Sequence, residues 1–269
     1  MRIFVLWIAI FLASAAGAKD TPLEALTTGD AVRPWEAVGR LDIGGTGFCT
    51  GALITDTVVL TAAHCLYSKA TGQRINPASI EFRAGWRNGR AEAYRMVKRA
   101  VEHPDYEYLG EANTQRVKND VALLELAQPI RNGRITPFKI AARPSKGERV
   151  GVVSYAADRS EAPSLQEACR VMARQFGMLV LSCDVDFGSS GSPVFTFETG
   201  EPRIASVISA KAELQGRRVS LGTGLEAQVA TLLSELDAGK GGFHPAAAPR
   251  IRRVGENASA SSGAKFIRP

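Results

Sequence analysis

The apolar residues between positions 35 and 225 fall in short runs, which glycine, proline, asparagine and aspartate repeatedly interrupt. Runs of this length suit strands, and the interruptions suit turns. Many short strands with frequent turns are typical of β-sandwiches and β-barrels rather than of alternating βαβ units. The candidate strands are 36–43, 47–54, 57–61, 79–84, 93–101, 120–126, 149–155, 178–183, 192–197, 203–209 and 219–224.

A turn-rich stretch at residues 128–148 divides this β body into two halves. It contains several prolines and the pair Asn132-Gly133, which favour turns over regular structure. The chain of 269 residues is long enough for one large domain or two small ones. We therefore predict two β units, 35–128 and 129–238.

A helix is predicted at the end of the second unit, where apolar residues recur at helical spacing and Gly239 follows as a stop signal. We expect it to dock on the body. The polar stretches 102–119 and 156–164 are predicted to be long loops. The apolar positions of the helix are Leu225, Val229, Leu232, Leu233 and Leu236.

The start of the chain has the features of a secretory signal peptide. Arg2 precedes an uninterrupted apolar run over residues 3–12, and Ala16-Gly17-Ala18 fits a cleavage site. An uncleaved anchor is the alternative, but the run is short beside the roughly 20 residues of a spanning helix. We predict removal of residues 1–18, a secreted or periplasmic protein with no integral membrane association, and an N-terminal segment or short propeptide over 19–34.

The net charge of +6 comes from the end of the chain and from Arg2, and not from the body between them. Residues 239–269 are rich in Gly, Ala, Pro, Ser and Arg, and the body before them carries acidic and basic residues in equal number. Because a nucleic-acid-binding domain carries positive charge on its folded surface, no nucleic-acid partner is predicted. The basic tail is predicted to be disordered, with at most a weak contact to anionic surfaces.

The four cysteines allow three disulfide pairings. They form two close-spaced pairs, one in each half, and this spacing favours Cys49–Cys65 and Cys169–Cys183. Each bond would close a loop of about 15 residues and stabilise the fold by about 3 kcal/mol. A zinc site is the weaker alternative, because the chain has no Cys-x-x-Cys pattern and few histidines. No metal site and no cofactor are predicted.

Three polar residues stand out from this body. His64 follows directly on a strand candidate, and Asp120 enters a nearly continuous apolar strand, where a buried carboxylate needs a partner. Ser190 lies in a turn rich in Gly and Ser, whose backbone N–H groups can stabilise an oxyanion. Each has an ordinary structural explanation when taken alone. Together they meet the needs of a serine nucleophile, which requires a histidine base held by a carboxylate.

The stretches TAAHC, NDVALL and GSSGSP, which contain these three residues, resemble the signature stretches of chymotrypsin/trypsin-fold serine proteases in the same order. The resemblance extends roughly over residues 35–237. It implies an all-β fold of two antiparallel six-stranded β-barrels with a C-terminal helix. The active site would lie in the cleft between the barrels, and polypeptides would be the substrates.

The resemblance also implies a role for each site residue. His64 would act as general base and then general acid, Asp120 would orient it, and Ser190 would form the acyl-enzyme. The backbone N–H groups of Gly188 and Ser190 would form the oxyanion hole. Ser209, in VISA, matches a serine that supports the buried aspartate in this family.

The nucleophile motif departs from that of the digestive and clotting members, which carry Gly-Asp-Ser-Gly-Gly-Pro. Ser189 replaces the aspartate that pairs with a new N-terminal amine after zymogen cleavage, and Ser192 replaces the second glycine. GSSGSP is more similar to the bacterial, glutamyl-endopeptidase-like (V8-like) branch. We therefore expect activation to need only signal removal, with trimming confined to the interval between Lys19 and Arg33.

The sequence allows two predictions for the preferred residue before the scissile bond (P1), a basic one and an acidic one. Asp184, six residues before Ser190, matches the carboxylate that selects Lys or Arg in trypsin-like enzymes, through a charge-assisted contact. Lys211, just after VISA, would favour an acidic residue instead or neutralise Asp184. Two alternatives to a protease also stay open: a catalytically silent binding module on the same fold, and an esterase that uses the same triad.

Overall fold

A computed structural model of the protein describes residues 20–108 and 114–242. The strands are β1 (Glu24–Ala25), β2 (Val38–Ile43), β3 (Phe48–Leu53), β4 (Val58–Thr61), β5 (Ile80–Ala84), β6 (Ala93–Glu102), β7 (Ala122–Leu126), β8 (Arg149–Ala156), β9 (Arg159–Gln175), β10 (Met178–Leu181), β11 (Pro193–Thr196), β12 (Arg203–Leu214) and β13 (Arg217–Gly224). The helices are α1 (Gly29–Val32), α2 (Thr114–Asn119) and α3 (Gln228–Asp237), with 3-10 turns at Arg33–Trp35, Ala63–Leu66 and Pro77–Ser79.

The first six-stranded barrel closes in the order β2-β3-β4-β7-β6-β5, and every pairing is antiparallel. Its interior is filled by large side chains such as Leu41, Phe82 and Leu124, each at most 1% exposed. In β5 the buried and half-buried residues alternate, as expected for a strand with one face on a core.

The second barrel closes in the order β8-β9-β10-β13-β12-β11, because β8 pairs with β9 as well as with β11. Its interior holds a separate cluster that includes Val152, Leu179 and Ile208. The short strand β1 extends this sheet by pairing with β9, where Glu24 lies opposite Leu165. The predicted fold class, two six-stranded antiparallel barrels and a C-terminal helix, is confirmed.

Aromatic side chains join the two barrels. The ring of Phe195, from β11, lies 4.7 Å from Phe138 and 5.0 Å from Trp35, measured between centroids. All three side chains belong to a core cluster that contains residues of both barrels. Tilted and edge-on contacts at these distances are favourable for aromatic pairs. The barrels are therefore fixed against each other, and the cleft between them has a defined shape.

Both loop predictions need correction. Residues 159–164 are the first part of β9, which turns back tightly from β8, with Ala156 opposite Arg159. Its polar start lacks the apolar alternation that marks a strand, so pairing with β8 outweighs local sequence. The stretch 102–119 contains α2, which is too short to show helical periodicity but buries Val117 and Asn119.

The C-terminal helix α3 lies where the apolar spacing predicts it and packs against β6 and β7 of the first barrel. Beyond it the chain stays in contact with β6, because the carbonyl of Gly241 accepts a hydrogen bond of 3.1 Å from the N–H of Ala100. The predicted disordered tail 239–269 is thus wrong at its start, where residues 239–241 are hydrogen-bonded to the body. The predicted signal peptide 1–18 and residues 243–269 of that tail lie outside the described residues.

Candidate active site

The 3-10 turn Ala63–Leu66 follows directly on β4 and carries His64 into the cleft. Nδ1 of His64 lies 2.7 Å from Oδ2 of Asp120, and the backbone N–H of His64 donates a 2.8 Å hydrogen bond to Oδ1 of the same carboxylate. The side chain of Asp120 is 3% exposed and that of His64 is 15% exposed. The carboxylate therefore fixes both the ring and the backbone of the histidine, and a hydrogen bond at Nδ1 leaves Nε2 as the basic nitrogen.

Ser209, from β12, completes the surroundings of this carboxylate. Its hydroxyl donates a short hydrogen bond to Oδ2 of Asp120 and is buried there. The hydroxyl of Thr223, from β13, donates hydrogen bonds to the backbone carbonyls of Val117, at 2.6 Å, and Asp120, at 3.2 Å. A buried carboxylate is expensive without partners, and here His64 of the first barrel and Ser209 of the second barrel both bond to it.

A disulfide between Cys49 and Cys65 ties the turn of His64 to β3. Potential ligand atoms of Cys49, His64 and Cys65 lie within 4.8 Å of one another. The two sulfurs are bonded to each other, so they are not the thiolates that bind zinc. The bond therefore holds the histidine in place.

The turn that carries Ser190 has two glycines in left-handed backbone conformations. Gly188 has φ +98° and Gly191 has φ +79°. A Cβ on Gly188 would lie 2.4 Å from the ring of Phe48, and one on Gly191 would lie 2.1 Å from the hydroxyl of Thr61. Only glycine suits both conformation and space, so the motif's two glycines are set by close packing against the first barrel.

The backbone around Ser190 has two N–H groups without an acceptor among the described residues. In the described parts of the chain, no protein group accepts a hydrogen bond from the N–H of Gly188 or Ser190. The neighbouring N–H groups are occupied: that of Ser189 donates to the carbonyl of Asp186, and that of Gly191 to the carbonyl of Ile208. A pair of unoccupied donors beside a serine is what an oxyanion hole requires.

Ser189 holds this turn without a charge. Its side chain is fully buried, and its hydroxyl donates a 3.2 Å hydrogen bond to the carbonyl of Tyr155 and accepts one of 3.3 Å from the N–H of Asp186. The family's digestive members use an aspartate and an N-terminal amine at this position. A neutral hydroxyl that bonds to backbone needs no such amine.

His64 and Ser190 line one cavity of about 230 Å³ at the junction of the barrels. Asp120 and Ser209 also reach its wall. Of the three residues predicted as a triad, His64 and Asp120 are thus hydrogen-bonded to each other, and Ser190, in the turn before β11, lines the same cavity.

The two candidate specificity residues lie in different places. Asp184 is exposed and lines an adjoining cavity of about 450 Å³, but does not line the cavity of His64 and Ser190. Lys211 lines both cavities.

The ammonium of Lys211 has two partners at the cavity that Ser190 lines. Its Nζ lies 2.7 Å from Oδ1 of Asp186 and 4.0 Å from the centre of the Phe187 ring. The hydrogen bond from Lys211 lowers the pKa of the Asp186 carboxyl, and the N–H of Phe187 lowers it further. The ion pair is half exposed at the cavity mouth.

The second disulfide of the structure, Cys169–Cys183, joins β9 to the end of β10. Both disulfides have the pairing that the cysteine spacing favours. Cys183 stands just before the segment of Asp184, which leads to the Ser190 turn. This bond anchors the wall of the cavity, as the first anchors the histidine.

A family model described as Trypsin matches residues 27–218. The chain belongs to the trypsin family. This membership confirms the resemblance inferred from TAAHC, NDVALL and GSSGSP. The matched range contains His64, Asp120 and Ser190, the three residues predicted as a triad in this trypsin-family chain.

Relatives within the family include trypsin of Phaedon cochleariae, which is 39% identical over 97 residues, or 35% of this chain and 33% of that protein. Glutamyl endopeptidase of Bacillus licheniformis is 27% identical over 164 residues, or 60% of this chain and 49% of that protein. The chain thus spans between a third and a half of the length of these curated relatives.

A solved structure of a Glu endopeptidase in complex with MPD superposes with a TM-score of 0.66, at 18% identity, and the match covers 82% of this chain and 98% of that one. At this identity the superposition establishes the fold.

The sequence analysis missed residues that support the site from a distance. Thr50, in β3, is fully buried, and its hydroxyl donates a 3.0 Å hydrogen bond to the carbonyl of Gly188. Gln166, in β9, is 4% exposed and accepts a hydrogen bond from the N–H of Asp184. No local pattern marks either residue, because their partners are remote in sequence. Only the buried position of a polar residue within a strand would have been a signal.

Proposed function

We propose that this protein is a serine endopeptidase that hydrolyses peptide bonds through His64, Asp120 and Ser190. The observation that carries the proposal is the bond between Nδ1 of His64 and the buried carboxylate of Asp120, in a cavity that Ser190 also lines. A serine in a turn is inert at neutral pH unless a base removes its proton. The cavity supplies that base with its orienting carboxylate.

The reaction follows from these positions. Nε2 of His64 takes the proton of the Ser190 hydroxyl while the oxygen attacks the substrate carbonyl. Asp120 remains ionised and stabilises the imidazolium. His64 then gives the proton to the leaving amine as the C–N bond breaks, which leaves an acyl-enzyme on Ser190. A water molecule, deprotonated by the same nitrogen, hydrolyses the ester and restores the serine.

The N–H groups of Gly188 and Ser190 would receive the oxyanion of each tetrahedral intermediate. Loss of one such donor typically reduces kcat by about 10²- to 10³-fold. The turn is rigid, because its glycines pack against Phe48 and Thr61 of the other barrel. The donors are therefore in place before the substrate arrives, which is the condition for effective electrostatic stabilisation.

We also propose that the protease prefers an acidic P1 residue, with Lys211 as its partner. Lys211 lines the cavity of His64 and Ser190, whereas Asp184 lies outside it. In the structure Lys211 binds Asp186, so its ammonium already holds one carboxylate at the cavity mouth. The names of the relative and of the solved structure, both glutamyl endopeptidases, agree with an acidic residue.

Secretion is part of the proposal. The start of the chain reads as a signal peptide, and two disulfides are favoured in an oxidising compartment. In the described ranges no helix has the length and apolar character needed to cross a membrane.

A fluorophosphonate probe tests the proposal, because it reacts only with an activated serine. Labelling of the full chain should place the adduct on Ser190, as located by peptide mass spectrometry. Ser190→Ala should abolish labelling, and the matched control Ser192→Ala should retain it. A folded chain that gives no adduct, or an adduct elsewhere, would overturn the assignment and favour a silent module.

Peptide libraries then separate a protease from an esterase and identify P1. We expect cleavage after Glu or Asp, and Lys211→Met should reduce kcat/KM on those peptides by about tenfold or more, the loss of one charge-assisted contact. Hydrolysis of small esters without peptide cleavage would identify an esterase. Cleavage after Lys or Arg would overturn the assignment of Lys211.

A further inference from the structure

The residues before α1 are built into the second barrel. We call residues 20–28 the β1 arm, since they contain strand β1. The N–H of Thr21 donates a 2.8 Å hydrogen bond to the carbonyl of Ala168, and the N–H of Ala168 donates one of 2.9 Å to the Thr21 hydroxyl. Leu26 is 3% exposed, and its N–H donates to the carbonyl of Pro163 at 2.8 Å. The arm therefore has the contacts of a sheet strand rather than those of a detachable leader.

One buried side chain connects this arm to the wall of the cavity. Nε2 of Gln166 donates a 2.9 Å hydrogen bond to the carbonyl of Thr21, and Oε1 accepts one of 2.7 Å from the N–H of Asp184. The amide orientation follows from its partners, because a carbonyl must receive the NH₂ group and an N–H must face the oxygen. Gln166 is 4% exposed, so water does not compete for either bond.

The segment that Gln166 holds leads directly to the reacting groups. Residues 182–186 belong to no strand, and Val185 lines the cavity of His64 and Ser190. The disulfide fixes this segment at Cys183, and the hydroxyl of Ser189 fixes it at Asp186. Gln166 acts between these two points, at Asp184.

We propose that Gln166 is a positioning residue that couples the β1 arm, through the backbone of Asp184, to the substrate-binding wall at Val185 and Asp186. The inference rests on the proposed peptidase function and adds to it a requirement: the β1 arm belongs to the working enzyme. This requirement narrows the processing interval expected between Lys19 and Arg33 to the bonds before Thr21. A cut after Thr21 would remove the carbonyl that orients Gln166, and the wall would lose its support.

Gln166→Leu tests the coupling, because it keeps the size of the side chain and removes both hydrogen bonds. Amide hydrogen exchange of residues 183–188 should become at least about tenfold faster, since the N–H of Asp184 loses its acceptor. KM for a peptide substrate should rise about tenfold, with kcat and the rate of Ser190 labelling by the small fluorophosphonate within about twofold of the parent. The control Gln128→Leu, at an exposed position, should change neither quantity.

Two forms of the chain with different N-termini test the same coupling if Gln166→Leu does not fold. A chain that begins at Asp20 retains Thr21, and one that begins at Leu23 lacks it but keeps β1. The shorter chain should reproduce the faster exchange and the higher KM. Unchanged exchange at 183–188 in both Gln166→Leu and the shorter chain would overturn the inference. A parent that neither labels nor cleaves peptides would overturn the proposed function instead, and the exchange data alone would then decide whether Gln166 holds the wall.

Discussion

The hydroxyl of Thr50 donates a 3.0 Å hydrogen bond to the carbonyl of Gly188, although Thr50 belongs to the first barrel and Gly188 to the second. The same hydroxyl accepts a 3.1 Å hydrogen bond from the N–H of Tyr155, and the N–H of Thr50 donates to the carbonyl of Ser190 at 2.8 Å. The turn that carries Ser190 is thus hydrogen-bonded to the barrel that carries His64. A motion of one barrel against the other would disturb both halves of the candidate site together.

Replacing Thr50 with valine should slow catalysis more than it alters substrate binding. Valine keeps the shape but leaves a buried carbonyl and a buried N–H without their partner, at about 1–3 kcal/mol for each group. Because the carbonyl belongs to Gly188, the adjacent oxyanion donor should shift, and kcat should fall by about tenfold or more. Steady-state kinetics on one peptide and denaturant unfolding measure the two effects. An unchanged kcat in a destabilised protein would show that Thr50 supports only the fold.

Ser209→Ala should reduce kcat, because the carboxylate of Asp120 loses a buried hydrogen-bond donor. Hydrogen bonds to charged groups are worth about 1.5–3 kcal/mol, so a reduction of roughly 10- to 100-fold is expected. Ser206→Ala is the matched control: it removes a buried hydroxyl of the same strand, which bonds the carbonyl of Thr223 at 2.7 Å. Equal kinetic losses in the two variants would contradict a specific role for Ser209.

Much of this architecture can be predicted from the sequence because it depends on local patterns. Every candidate strand is present in the structure within a few residues of its predicted ends, apart from β12, which runs on to Leu214. The triad could be proposed because each member lies in a short stretch with a recognisable signature. The cysteine pairing could be favoured because both loops are short.

What the sequence does not reveal depends on contacts between distant residues. No candidate strand covers β1 or any part of β9, whose polar first part is held by pairing with β8 and β1. The connection through Gln166 joins residues far apart in the chain. Asp184 has the spacing of a specificity carboxylate, but it lies outside the cavity of His64 and Ser190. That position depends on the backbone path of residues 182–186, which the spacing does not predict.

Asp186→Asn should release Lys211 for the substrate. Asparagine keeps an acceptor for the N–H of Phe187 but removes the charge that binds the ammonium. We expect kcat/KM for peptides with Glu at P1 to rise by about threefold or more, and stability to change little, because exposed ion pairs contribute about 0–1 kcal/mol. Glu213→Gln, an exposed charge removal on the same strand as Ser209, is the control. A fall in kcat/KM would mean that Asp186 shapes the site rather than competing for it.

The effect of Asp186→Asn on kcat/KM should depend on pH only at acidic pH. Lys211 lowers the pKa of Asp186 below its ordinary value of 3.8. The carboxylate and its ion pair are therefore complete above that pH and are lost only as the pH falls through the lowered pKa. The ratio of variant to parent rates should be constant between about pH 5 and pH 9. A ratio that changed across this range would show that another group titrates at the cavity mouth.

Removing either disulfide should lower stability similarly but affect catalysis differently. The bonded cysteines are 16 and 14 residues apart, so each bond is worth about 3 kcal/mol by loop entropy. Cys49→Ala with Cys65→Ala frees the turn of His64 and should lower kcat. Cys169→Ala with Cys183→Ala frees the segment 184–186, which carries the cavity wall at Val185 and Asp186, and should raise KM. Thermal unfolding and steady-state kinetics on both double variants check this, and identical kinetic defects would contradict it.

Gly191→Ala should prevent assembly of the two barrels, whereas Gly200→Ala should be tolerated. Both glycines have left-handed conformations, with φ +79° and φ +80°, so both substitutions carry the same backbone strain of roughly 1–2 kcal/mol. They differ in space: a Cβ on Gly191 would lie 2.1 Å from Thr61 Oγ1 and 2.3 Å from the carbonyl of Thr50, and one on Gly200 would meet nothing within 4 Å. Gly191→Ala should give little soluble protein, no cooperative thermal unfolding transition and no fluorophosphonate labelling. Gly200→Ala should still be labelled and should melt at a slightly lower temperature than the parent. If Gly191→Ala folded with normal labelling, the close contact between the nucleophile turn and the first barrel would not exist in solution.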